Sequence, residues 1–316
     1  MRERDVSQVE AIVAAVEAKA TPTMQRTKGA DLRRERLSGV VSEEIERLPV
    51  DRTRLEAAAR EDREERRRNA HEARRRAVEA SPETAEMLNT LATSSHGALG
   101  VNPADWEPGS FVEESVDFIR SWPTPENLRD SHVGQLANWA EYAVTQSGDS
   151  FDRHFSERVS FYTMWRNPRQ TPIVATVLTR LKVNGHCSCD AEWGGVASWF
   201  FDDSLAHVDV SARLTLWGLW TEPAPRIPVA NALLASITAK GGFFGDDDAT
   251  SIGAAPLLIG AGFPIPAREW ILIEASVVSD YELLDGSVDL DFTSGAFRVE
   301  CTGSGVVIPS AASAQA

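Results

Sequence analysis

From position 206 to 216 every second residue is apolar. Ala206, Val208, Val210, Ala212, Leu214 and Leu216 alternate with His207, Asp209, Ser211, Arg213 and Thr215. Side chains alternate across a strand, so this segment has one apolar and one polar face, the pattern of an antiparallel sheet with one side on a core. Few other readings fit, because a helix would scatter the same residues around its axis.

The same period of two recurs on both sides. Val159, Phe161, Thr163 and Trp165 form one run, ended by Asn167-Pro168. The β-branched stretch 171–183 leads into Asn184-Gly185, the dipeptide most typical of a tight hairpin, and 186–193 is the expected return strand. Residues 270–284 form a further strand, with Asp285-Gly286 as a second hairpin turn. After it, Val288, Leu290 and Phe292 are expected to point inward and Asp289 and Asp291 outward. Phe297, Val299 and Cys301 continue the alternation, and 306–308 closes it. Seven or so strands separated by turn signals predict a β-sandwich or jelly roll. Between them, 229–239 reads as a short helix, and a Gly/Asp/Pro-rich irregular stretch is expected to run to Pro266.

Upstream the period is helical. Val6, Val9, Val13 and Val16, with Ile12 beside them, make one narrow apolar stripe that stops before Pro22. Leu37, Val41, Ile45 and Leu48 make a second, stopped by Pro49. From 51 to 80 alanines and charges dominate. Glu56/Arg60, Asp62/Arg66, Glu64/Arg68 and Glu72/Arg76 are acid-before-base pairs at i, i+4 that support an exposed helix. Ser81-Pro82 reads as the N-cap and first position of a new helix, with Met87, Leu88 and Leu91 on its apolar side. A Ser/Gly/Pro-rich linker follows. Phe111, Phe118, Ile119 and Trp122, then Leu128, Leu136, Trp139 and Ala143, suggest short helices.

The expected class is therefore α+β overall. Residues 1–93 form a charged helical arm, a possible coiled coil. Residues 94–156 form a linker with short helices, 157–309 a mainly antiparallel β-sandwich or jelly-roll-like domain, and 310–316 a disordered tail. Composition agrees with that division. Residues 1–80 carry 19 basic and 17 acidic side chains, whereas the remainder carries 13 and 30, a net charge of −17. All nine tryptophans lie between Trp106 and Trp270, so the core belongs downstream.

That acidic body disfavours contact with phosphate backbones or anionic membranes. The eight arginines of 60–76 make a basic stripe, but five interleaved acids mark it as a solvated or self-associating helix, with nucleic acid the less favoured partner. The polar opening Met1-Arg-Glu-Arg-Asp argues against a secretory signal, and prolines and charges break 252–273, the most apolar stretch. A cytoplasmic location is expected, or membership of an assembled particle exported without a signal peptide.

Several constellations could carry chemistry. Asp246, Asp247, Asp248, Asp285, Asp289 and Asp291 lie in or beside turns, where a Ca²⁺ ion could gather oxygens, although no EF-hand spacing is present. The same aspartates could simply be solvated. Cys187 and Cys189 point to one face of a strand that Cys301 could approach, which permits zinc, a disulfide or plain packing. Trp217 shares the polar face of its strand and could be exposed, and with Trp193, Trp199 and Trp220 it could stack on sugars. No nucleophile elbow, phosphate loop, complete dinucleotide fingerprint or zinc-protease helix motif occurs, and His71-Glu72 has Arg75 where a second histidine would stand. No cofactor is expected apart from the Ca²⁺ alternative.

The expected function is non-catalytic assembly. A sandwich block would join partners or copies of itself through the arm, whose stripes are too thin to fold unaided. Alternatives are a ligand-binding sandwich using loop aspartates or exposed tryptophans, and an enzyme with a convergent site lacking a sequence motif.

Overall fold

The computed structural model describes residues 6–20, 52–93, 111–134, 137–148, 153–191, 204–221, 224–241 and 245–308. Leu37, Val41, Ile45, Leu48, Trp193, Trp199 and the tail lie outside them.

Among the described residues two helices precede thirteen strands. Helix α1 spans Val6–Ala20 and α2 spans Arg52–Thr93. The strands are β1 Phe111–Glu114, β2 Phe118–Trp122, β3 Leu128–His132, β4 Trp139–Gly148, β5 Arg153–Arg166, β6 Ile173–Ala191, β7 Ser204–Gly218, β8 Arg226–Gly241, β9 Asp246–Ala254, β10 Leu257–Ile265, β11 Trp270–Leu284, β12 Gly286–Phe292 and β13 Arg298–Val307. All strand pairs are antiparallel. One sheet has eight strands and is built around β6. The other has five, in the order β2-β5-β11-β7-β8. Their inner faces share one hydrophobic core, so the body is a β-sandwich. The alternating face of β7, Ala206 to Leu216, is wholly buried in that core, as are Val288, Leu290 and Phe292 of β12.

The sandwich begins earlier than its sequence period suggests. Among the described residues of 111–122 and 125–145 no α-helix stands; they hold β1, β2, β3 and the start of β4, and Leu136 lies outside the described residues. The chain changes sheets between β1 and β2, burying Val116 in the core as it crosses, and this breaks the alternation. A short 3-10 turn at Pro125–Asn127 precedes β3.

Residues 184 and 185 do not form a hairpin. Strand β6 runs straight through them. Glycine is required there for close approach: a Cβ on Gly185 would run into the Phe292 ring of β12. Asn184 donates its side-chain amide to the carbonyls of Ser81 and Ala296. The second expected turn does form, with Asp285 at φ 46° between β11 and β12.

Residues 229–239 are strand, not helix. Two bulges in β8 leave Val229 and Leu234 as extra residues opposite β7. Each bulge flips the face that later side chains occupy, so the period of two is lost from the sequence. The stretch expected to be irregular holds β9 and β10, which pair with the two halves of β6.

Helix α2 is continuous across Ser81-Pro82. Proline at 82 has no N–H for the carbonyl of Val78, and the Ser81 hydroxyl donates to that carbonyl instead, at 2.7 Å. Ser81 Oγ also accepts from the Ala296 amide at 3.0 Å. The position expected to start a helix is thus where the helix touches the sheet. Its buried or half-buried side, Ala59, Asp62, Arg63, Arg66, Ala70, Ala73, Ala77, Ser81, Ala85 and Leu88, recurs every three or four residues and is mostly small. Among the described residues no helix is long and apolar enough to cross a membrane.

Candidate functional site

The two described helices lie on opposite outer faces of the sandwich, with a polar cluster beneath each. Helix α2 runs antiparallel to β6 along the eight-stranded sheet. Arg66 reaches Asp190, Ser81 meets Asn184, and Asn89 accepts from Lys182. Arg74 binds Asp291 at 2.8 Å and stands 3.7 Å from Asp289.

Two of the aspartates considered for calcium, Asp289 and Asp291, are therefore engaged by Arg74. Asp291 is not turned to solvent as alternation suggested; it is 1% exposed under α2. Burial pushes its carboxyl up, but hydrogen bonds from Ser294 and Thr293, and Arg74 after them, outweigh that and hold it at about 2. Asp289 accepts from Thr145, and Asp246 accepts from the Lys240 and Asp247 amides. Asp246–Asp248 and Asp289/Asp291 occupy strands on opposite sides of β6, which separates them. No group of three or more ligating side chains is placed to hold a metal among the described residues. Cys187, Cys189 and Cys301 are free thiols packed in the core. Burial pushes Cys189 and Cys301 up to about 12.

A second buried carboxylate, Glu157, lies at the inner face of β5. It accepts from Tyr281 at 3.0 Å and Gln146 at 3.3 Å, with Asn127 also bound. Burial raises its pKa, the direction a general acid needs. It is 3% exposed and ringed by these donors, so it ties the ends of the two sheets together.

The most organised site lies under α1, on the outer face of the five-stranded sheet. Register places Phe118, Tyr162, Glu274 and Thr215 in one row across β2, β5, β11 and β7, and Met164, Leu272 and Trp217 in the next. Phe118 and Tyr162 stack with ring centroids 4.6 Å apart. Trp217, for which sequence suggested exposure, is fully buried here, because α1 covers the polar face of its strand. Val9 and Val13 of α1 are wholly buried against this floor, with Val6, Ile12 and Val16 packed around them. Of the expected interaction stripe, these four valines are the part the structure describes.

Beside the aromatic floor is a closed ring of charge. Glu274 is fully buried and accepts from Ser160 at 2.8 Å, Trp217 Nε1 at 2.9 Å, Arg158 Nε at 3.1 Å and Tyr162 OH at 3.3 Å. Tyr162 in turn accepts from Trp122 Nε1 at 2.9 Å. Arg226 lies 3.4 Å from Glu274 and stacks over Trp217 at 5.4 Å. Glu17 of α1 closes the ring, pairing with Arg158 and, at 3.4 Å, with Arg226. Burial pushes Glu274 up, but the two guanidinium groups and its hydrogen bonds prevail and lower its pKa. Without α1 the ring holds two arginines against one glutamate, a net charge of +1 that calls for one carboxylate.

Sequence reading missed this ring. Its signal was Glu274, a lone acid inside the apolar run 270–278, which burial permits only if it is paired. Glu17 follows Val9 and Val13 at four-residue spacing, on the same stripe.

No protein-family model and no curated protein matches the sequence. Among solved structures, the chain has 6% identity and a TM-score of 0.21 with the enzymatically active domain of bacteriophage CBA120 tailspike protein 4, covering 66% of this chain and 20% of that one. TmCBM61 in complex with β-1,4-galactotriose gives 9% identity and a TM-score of 0.16, over 66% of this chain and 94% of that one. A CBM4 structure gives 11% and 0.18, over 62% and 98%. The chain thus spans a fifth of the tailspike domain's length, and at these scores the likeness carries no functional argument.

Proposed function

We propose that the protein is a non-catalytic assembly subunit whose sandwich carries a slot for an acidic amphipathic helix, with α1 as the arm that fills it. One observation supports this above the others. The slot recognises its occupant through two valines and one carboxylate, Val9, Val13 and Glu17, and is left one acid short without it. Thirty-one residues, 21–51, join α1 to α2, enough chain for the arm to fill its own slot or that of a neighbouring copy. A helix of 15 residues is marginal alone, so it stays docked somewhere. Exchange of such arms is a low-cost route to assembly. Three thiols without a disulfide suit a reducing compartment, and the cytoplasm is the proposed location.

Light scattering on the eluting protein, across a concentration series, tests the reading. The full chain should gain mass with concentration, and Val13→Asp, which empties the slot, should abolish the arm-dependent part. Equal masses for both at every concentration would refute it.

A second reading rests on the aromatic floor. Phe118, Tyr162 and Trp217, with Trp122 and Trp270 at the rim, form a surface on which sugar rings could stack once α1 has left. Oligosaccharides should then quench tryptophan fluorescence in Val13→Asp and not in the parent chain. Equal responses would remove this reading.

A further inference from the structure

Helix α1 carries two acids, Glu10 and Glu17, and each meets arginine on the sheet. They are seven residues apart, two helical turns or roughly 10 Å along the axis. Glu17 lies in the last turn, against Arg158 of β5 and Arg226 of β8. Glu10 lies over β2, at the other end of the strand order, and accepts from Arg120 Nη2 at 2.8 Å. Arg120 is steadied for that contact, since its Nη1 donates to the Ile119 carbonyl at 2.9 Å. With Glu274 counted, the three arginines face three carboxylates. Other charged groups around the slot have their own partners. Arg213 pairs with Asp280, Asp117 accepts from the Met164 amide, and Arg166 lies over the Trp270 ring.

We infer that the slot reads the direction and register of the helix it takes, and that its occupant in the assembly is α1 of a second copy. The inference rests on the assembly reading and names the partner of the same slot. Direction is read because a helix is negative at its C-terminal end. Glu17 adds a carboxylate at that end, which is unfavourable in a lone helix and is offset here by two guanidinium groups. A helix entering the other way would bring its positive end to them. Register is read because Val9 and Val13 are fixed on the floor while Glu10 and Glu17 are held at two separate places. A slide of one turn would part both acids from their arginines. The identity of the occupant follows from the sequence. The pattern Val-Glu-x2-Val-x3-Glu occurs once in the 316 residues, at 9–17, so no other segment of the chain offers the same set.

Anisotropy of a labelled peptide of residues 1–20 tests this, with full-length Val13→Asp supplying the open slot. The peptide should bind that chain, and bind the parent chain about tenfold more weakly, because the parent's own arm competes. The same residues in reversed order should bind the Val13→Asp chain about tenfold more weakly than the forward peptide. Glu10→Arg in the peptide should weaken binding about fivefold, and Arg120→Glu added to the Val13→Asp chain should restore it. The Arg120 side chain is 46% exposed, so its exchange leaves the fold intact. The inference is overturned if forward and reversed peptides bind alike, if the forward peptide does not bind, or if the charge exchange restores nothing. The assembly reading falls separately, only if the parent and Val13→Asp have equal masses at every concentration.

Discussion

Glu17 and Glu274 hold the same two guanidinium groups, those of Arg158 and Arg226, from opposite sides of the α1 interface. Their positions are not equivalent. Glu274 belongs to the central strand of its sheet and also takes hydrogen bonds from Ser160, Tyr162 and Trp217. Glu17 belongs to α1, a helix laid on that sheet from outside.

Neutralising the two should therefore cost different amounts. Glu17→Gln should lose about 1–3 kcal/mol, because α1, as the proposed detachable arm, would lift and let water reach the arginines. Glu274→Gln should lose about 3–5 kcal/mol, since both cations then stay buried in the sheet. Urea midpoints at neutral pH give both values, and an equal or reversed order would contradict the ring.

Asp291 and Glu157, both buried, should give the pH profile opposite slopes. Asp291 is held at about 2, below its ordinary 3.8, so its contribution is full above 3.8 and lost as pH falls towards 2. That contribution is about 2 kcal/mol, and Asp291→Asn should lack this acid-side loss. Glu157 is raised above its ordinary 4.5, so its contribution is full below 4.5 and lost as pH rises through its folded value. Glu157→Gln should flatten that limb. Thermal melts of the three proteins from pH 2 to 8 would show it, and superimposable curves would refute the assignments.

Gly185→Ala should destabilise by about 1–3 kcal/mol through overpacking on the Phe292 ring, although β6 is an ordinary strand there. Phe292→Leu should recover part of the loss in the double variant, measured as a non-additive urea midpoint. Full additivity would place the strain elsewhere.

Cys187, Cys189 and Cys301 should resist a thiol reagent at pH 8 until the protein unfolds. All are buried and all have their pKa raised, chiefly by burial. Rapid labelling of the native protein would show that the core opens.

Where one face of a strand meets the core and the other does not, the residues announce it, and β7 and β12 were legible for that reason. Strand β8 was not, because each bulge exchanges inside for outside within a few residues. Asn184-Gly185 misled because two demands select the same amino acid. A tight turn needs glycine for its backbone angles, and β6 needs it for the space beneath Phe292. The α1 stripe was readable, but its destination was not. Trp217 and Tyr162 sit on strand faces whose neighbours are polar, and only a covering helix makes them interior. The charge ring brings Glu17, Arg158, Arg226 and Glu274 together across more than 250 positions, a distance no local pattern spans.

The seats of both helices include residues made late. Helix α2 rests on Asp291 and Ala296, and α1 rests on Leu272 and Glu274. A ribosome adding about 5–20 residues per second leaves α2 waiting roughly 10–40 s between its own completion and that of its docking strands. During that interval the nascent chain presents an amphipathic α1 with no sheet to cover it. A neighbouring polypeptide on the same message, already finished, would offer one.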